Sequence, residues 1–143
     1  MHNRGLTLIE ILIVSAIAGL ILSFGLTIDL NSYKGDAFDT EVQTIVSILE
    51  RARSHAMSNI SDTNHGVCYI KPNYIIFTGD TCTTVDSELI PANNDIASNS
   101  STFFPNQIVF TRLNGRTNNT YINVSDSLHL YKIEINNEGR INW

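Results

Sequence analysis

Between Leu6 and Ile28 the chain reads LTLIEILIVSAIAGLILSFGLTI, a run of 23 residues with a single charge, Glu10. As a helix it would extend roughly 35 Å at ~1.5 Å per residue. That length covers the ~30 Å hydrocarbon core of a bilayer. A secretory signal has an apolar region of only ~7–15 residues, ending at a small-residue cleavage site. A buried core helix of this length needs a larger body around it than the roughly 115 residues that follow can build. A plain membrane anchor fits the length but leaves Glu10 unexplained. A carboxylate at the centre of a membrane helix costs ~2.5–3.5 kcal/mol on insertion scales, and its own segment offers no cationic partner.

The rest of the 143-residue chain is polar but weakly charged. Charged residues make up 16% of the whole, yet the mean hydropathy is +0.00, because the apolar run offsets an Asn/Ser/Thr-rich remainder. Nine Lys and Arg against 14 Asp and Glu give a net charge of −5, which argues against wholesale electrostatic binding of nucleic acid. There is no G-x-S-x-G, phosphate-binding Gly-rich loop or H-E-x-x-H. The histidines His2, His55, His65 and His129 show no ligand spacing and read as surface or half-buried residues. Asp80, Asp86 and Glu88 lack the EF-hand pattern and read as solvated loop charges. The expectation is a non-enzyme without cofactor or metal.

Downstream, Asp29 to Asp36 is polar, with Asn31, Ser32 and Gly35 as helix weakeners; the expected object is one long helix loosened there, with Asp36 a fair N-cap should the helix restart. Phe38, Val42, Ile45, Leu49, Ala52 and Ala56 then step by three and four residues, an apolar stripe on one helix face. Asp39, Glu41, Glu50 and Arg51 fall to more polar faces. After Asn59 short strands and turns take over. Val67–Ile70 and Tyr74–Phe77 flank Lys71-Pro72-Asn73 as a hairpin. Gln107–Thr111, Thr120–Val124, His129–Ile135 and Arg140–Trp143 are further strands, separated by Asn114-Gly115, Asn118-Asn119 and Asn137-Glu138-Gly139 turns. Ser87–Asn106 reads as a long surface loop with at most a short element inside.

Gly5-Leu6-Thr7-Leu8-Ile9-Glu10, behind a five-residue leader containing Arg4, resembles the processing site of type IV pilins and type II secretion pseudopilins. The resemblance implies cleavage between Gly5 and Leu6 by a prepilin peptidase, followed by N-methylation of Leu6. The family usually places Phe at the first mature position, where this chain has Leu6. Glycine suits the cut, since only a residue without a side chain lets the backbone lie tight in a peptidase cleft. Glu10 would be the fifth mature residue, pairing with the N-terminal amine of a neighbouring subunit. That pairing turns a costly unpaired charge into a register device, with the Thr7 hydroxyl as its local partner before assembly.

Later segments add to the resemblance. Glu50-Arg51-Ala52-Arg53-Ser54-His55-Ala56 is similar to the end of the first helix in the GspH/FimT group of minor pseudopilins and pilins. Ile108-Val109-Phe110 with Asn114-Gly115, and Lys132–Ile135 through Gly139-Arg140-Ile141, are similar to that group's later strands. The implied fold is α+β. A long N-terminal helix, membrane-spanning in its first half and amphipathic in its second, packs on an antiparallel β head that can split into two small sheets. The implied organisation is a leader over 1–5, an assembly half-helix over 6–28, an amphipathic half-helix over 29–59 and a β head over 60–143.

The implied protein is a minor pilin or pseudopilin, with a major pilin or a DNA-receptor minor pilin as alternatives. It would be single-pass in the inner membrane, with the head on the non-cytoplasmic side. Its partners would be the prepilin peptidase/methyltransferase, the membrane and other pilin or pseudopilin subunits. Outside the cytoplasm a disulfide is the default state for Cys68 and Cys82, closing a loop worth about 3 kcal/mol in the chain-entropy model. Losing Arg4 with the leader would take the net charge from −5 to −6. From Thr102 onward, however, Arg112, Arg116, Lys132 and Arg140 face only Asp126, Glu134 and Glu138. Arg112, Arg116 and Arg140 are therefore the candidate nucleic-acid contacts, with Tyr121 or Trp143 as stacking partners. Scattered hairpin arginines are the simpler account of them, since binding of this kind normally needs a denser patch.

Overall fold

The computed structural model describes residues 7–25, 30–85, 87–126 and 128–143. It separates into two compact units, Met1–Gly35 and Asp36–Trp143. In the first, helix α1 (Leu8–Gly25, 18 residues) starts behind Thr7. The Thr7 carbonyl accepts the Glu10 and Ile11 amides at 3.1 and 3.2 Å. Among the described residues, no helix is long and apolar enough to cross a membrane. The 18 residues of α1 reach about 27 Å at ~1.5 Å per residue. The sequence run extends past both of its ends, to Leu6 and Ile28, outside the described residues.

Helix α2 runs Leu30–Met57, so Asp36 lies inside a helix and does not cap a new one. Asn31, Ser32 and Gly35 are weak helix formers, not absolute breakers, and the helix runs through them. In the second unit the stripe Phe38, Val42, Ile45, Leu49, Ala52 and Ala56 is buried, and Val46 and Ile48 widen it.

Two antiparallel sheets share the core with α2. The first has the order β3-β2-β1-β4, from β1 (His65–Ile70), β2 (Asn73–Thr78), β3 (Glu88–Pro91) and β4 (Ile108–Phe110). The second has the order β5-β6-β7, from β5 (Thr120–Ser125), β6 (Leu130–Ile135) and β7 (Ile141–Asn142). The fold is therefore α+β, with a helix followed by two antiparallel sheets. Val67, Tyr74, Ile76, Ile108 and Phe110 of the first sheet and Ile122, Val124, Ile133 and Ile135 of the second pack with the α2 stripe in one apolar cluster.

The first sheet is buried on its other face too. Cys68, Ile75 and Phe77 form a second small cluster with Val109 and Cys82, so β1 and β2 lack the alternation of a half-exposed strand. The β1–β2 turn holds a cis Lys71–Pro72 bond.

The 87–106 segment is more structured than a surface loop. It supplies the edge strand β3 and a short helix α3 (Asn94–Ala97) capped by the Asn93 side chain, which accepts from the Asp95 amide. Ile96 and Ala97 are buried, and Phe103 bridges to Asn123 of β5. Four-residue elements among Asn and Ser carry too little periodicity to be read from sequence.

Candidate functional site

Along α1 apolar side chains project in every direction. Leu8 is 81% exposed and Leu22 68%, and Ile9, Ile11, Leu12, Ile13, Val14, Ile17, Leu20 and Ile21 are exposed as well. A helix apolar all round is normally buried in a protein core or a membrane, and so large an exposed apolar surface marks an interaction site. Glu10 is the one acidic group in its first turn. Thr7-Leu8-Ile9-Glu10 has the spacing of a capping box, and the Thr7 hydroxyl accepts the Glu10 amide at 3.4 Å. That contact engages the main chain of Glu10 and leaves its carboxylate for other work. Gly5 and Leu6, the expected cleavage and methylation site, lie outside the described residues.

At the other end of α2, three separate sequence motifs converge. Arg53 packs between two turns. Its Cγ lies 3.1 Å from where a Cβ on Gly115 would sit, and its Nε 3.0 Å from one on Gly139. Its Nη2 donates to the Glu138 carbonyl at 3.3 Å. The Leu113 amide caps the helix by donating to the Ala56 carbonyl at 2.8 Å. Gly115 (φ +61°) and Gly139 (φ +74°) both adopt left-handed backbone, where a side chain is strained. The helix-end motif, Asn114-Gly115 and Gly139-Arg140 are thus parts of one junction between α2 and both sheets.

The three candidate arginines are not gathered on one cleft. Arg112 is engaged, with its Nη1 2.7 Å from Asp62 Oδ1. Arg116 lines a cleft beside β4, and Arg140 lines a different groove with Glu50 and Arg53. Tyr121 pairs with Phe103 at 5.3 Å between ring centroids and carries Lys132 Nζ over its face at 5.1 Å. Trp143 is exposed.

Cys68 and Cys82 are joined in a disulfide with Cα atoms 6.2 Å apart. The Gln107 amide staples the same loop, accepting from the Cys82 amide at 3.0 Å and donating to the Asp80 carbonyl at 2.9 Å.

Several polar residues are placed differently from their sequence reading. His65 is buried, its Nε2 2.8 Å from the Ile60 carbonyl, and its ring meets His55 edge-on at 5.5 Å. Burial, with the nearby charges of His65 and Arg51, holds the His55 pKa below the ordinary imidazole value. Glu88 pairs with Arg51 at 2.6 Å across a half-exposed surface.

Glu41 is the largest departure. It is only 5% exposed, accepts from Tyr74 Oη at 2.6 Å, and accepts from the Asn93 amide at 3.2 Å. Burial pushes its carboxyl pKa up, against the opposing pull of those two donors. The Tyr74 hydroxyl, buried and facing a carboxylate, is pushed far above the usual phenol range. One sequence signal was available: Glu41 sits three residues after Phe38 and four before Ile45, on the buried stripe.

Residues 1–26 match the family model described as a prokaryotic N-terminal methylation motif. No curated protein and no solved structure matched the chain. The motif implies processing by a prepilin peptidase, assembly with other pilin subunits and a membrane-anchored place in a pilus. Over residues 1–26, therefore, the chain carries the N-terminal methylation motif of type IV pilin-like proteins.

Proposed function

We propose that the chain is a minor pilin or pseudopilin of the GspH/FimT kind, a structural subunit of a type IV pilus or a type II secretion pseudopilus. The observation that carries this reading is α1, a helix apolar on every side with one carboxylate, Glu10, in its first turn. A lone carboxylate on such a surface is costly until an opposite charge meets it. Cleavage after Gly5 creates that charge, a cationic α-amine on Leu6, and the amine of one subunit meets Glu10 of the next. The β head then stands on the non-cytoplasmic side, where the Cys68–Cys82 bond is stable.

The test is Glu10→Ala in cells that make the filament. Insertion and leader removal should be unchanged while the subunit disappears from sheared filaments. Normal incorporation of the variant would refute the pairing. A DNA-receptor role has less support, because Asp62 already neutralises Arg112. A mobility shift at low salt with micromolar DNA would revive it.

A further inference from the structure

A splayed hairpin joins the two sheets, and its gap has the form of a strand site. The Thr111 amide donates to the Arg116 carbonyl at 2.8 Å, the closing bond of a hairpin whose next pair would be Val109 with Asn118. That pair does not form. The Thr117 amide turns to the Asn137 carbonyl, in the turn between β6 and β7, at 3.3 Å, while β4 stays with β1. Between the diverging arms lies a cleft of about 640 Å³, within the range of ligand sites, lined by Val109, Thr111, Arg116, Asn118, Asn137 and Asn64 among others.

The register shows what β4 offers to this cleft. The Gly79 amide donates to the Asn64 carbonyl, so Asn64 points its main chain toward β2. By the alternation of antiparallel ladders, His65 and Val67 point toward β4 and bond their partners Phe110 and Ile108. Val109 therefore directs its N–H and C=O away from β1, into the cleft. An unpaired strand edge is a template for another extended chain.

We infer that this cleft binds an extended peptide segment of a partner protein by strand addition to β4, with an acidic side chain of that segment set against Arg116. The lining favours a peptide over other ligands. Asn64 is already engaged by Asp80 and by the Arg112 amide, but the side-chain amides of Asn118 and Asn137 can each donate and accept, matching the demands of a peptide main chain. No aromatic face lines the cleft for a sugar or a base to stack on, and the one arginine is accompanied by Asp80, too little positive charge for a phosphate backbone. The Asp80 carboxylate is already bonded by Asn64 Nδ2 at 2.6 Å. Among the described residues Arg116 has no carboxylate within ion-pair distance. The inference does not depend on the filament reading.

The experiment is amide NMR on the full chain in detergent micelles, titrated with the acetylated, amidated pentapeptide Thr-Val-Glu-Val-Thr. Shifts should concentrate at Val109, Thr111, Asn118 and the Asn137 side chain. The fully N-methylated analogue should produce none. Replacing Glu by Gln in the peptide should weaken binding, and Arg116→Gln should abolish that difference. Val109→Pro removes the outward N–H while sparing the β1 ladder, as proline is tolerated on edges, and should lower affinity about tenfold or more. If Val109→Pro does not fold, the N-methylated peptide and Arg116→Gln decide the matter. No shifts at about 1 mM peptide, equal binding of the N-methylated analogue, or displacement of the peptide by single-stranded oligothymidylate would each overturn the inference.

Discussion

Tyr74→Phe isolates the buried contact that links α2 to the first sheet and to the Ala92–Asn93 turn. The substitution removes one oxygen and keeps the ring, so the apolar packing of a side chain only 1% exposed is preserved. What is lost is the 2.6 Å bond to Glu41, leaving that carboxylate with the Asn93 amide alone. A hydrogen bond to a charged partner is worth about 1.5–3 kcal/mol, and one between neutral groups about 0.5–1.5 kcal/mol. At a pH where Glu41 is ionised, the loss should therefore be about 1.5–3 kcal/mol. That lowers the melting temperature by roughly 4–8 °C per kcal/mol for a domain of this size.

The pH dependence has a definite sign. The Glu41 pKa is raised in the fold above its ordinary 4.5, so its contribution to stability is complete below that value and is lost as pH rises through the folded pKa. On acidification through that window the Tyr74→Phe penalty should shrink toward the neutral-bond value. Glu41→Gln should remove the pH-dependent part altogether. Thermal unfolding followed by circular dichroism between pH 4 and pH 8 measures both. A Tyr74→Phe penalty below about 0.5 kcal/mol and flat with pH would refute the assignment of Glu41 as a carboxylate held by Tyr74.

Two further outcomes follow from the junction and the covalent tie. Gly115→Ala places a methyl 2.7 Å from Met57 Cγ on a left-handed backbone; unfolding experiments should show a loss of about 1–3 kcal/mol. Replacing Cys68 and Cys82 together by Ser should cost about 3 kcal/mol by loop entropy, and thiol titration of the unfolded wild type should rise from none to two on adding reductant.

Local chemistry explains which parts of the fold were legible in the sequence. The α2 stripe, the Lys71-Pro72 hairpin and the Asn114-Gly115 turn are set by residues a few positions apart, and period and turn chemistry report them directly. Glu41 was misread because a charged residue is normally placed outside. Its partners Tyr74 and Asn93 lie 33 and 52 positions away, and only the folded chain brings them together. The splayed hairpin was illegible for a similar reason. Thr111 to Asn118 has the grammar of a closed turn, but Thr117 is claimed by Asn137 of the later β6–β7 turn. On the N-terminal side the reverse held: the methylation motif lies in one consecutive stretch, residues 1–26, and is read from it directly.

The central proposal is that Met1–Gly5 is a leader cut away from the assembly helix that follows it. Intact-mass analysis of the chain purified from membranes of cells with an active prepilin peptidase tests it most directly. The account predicts a chain beginning at Leu6, with one methyl group on its amine. A chain retaining Met1–Gly5, or one cut at any other bond, would contradict it.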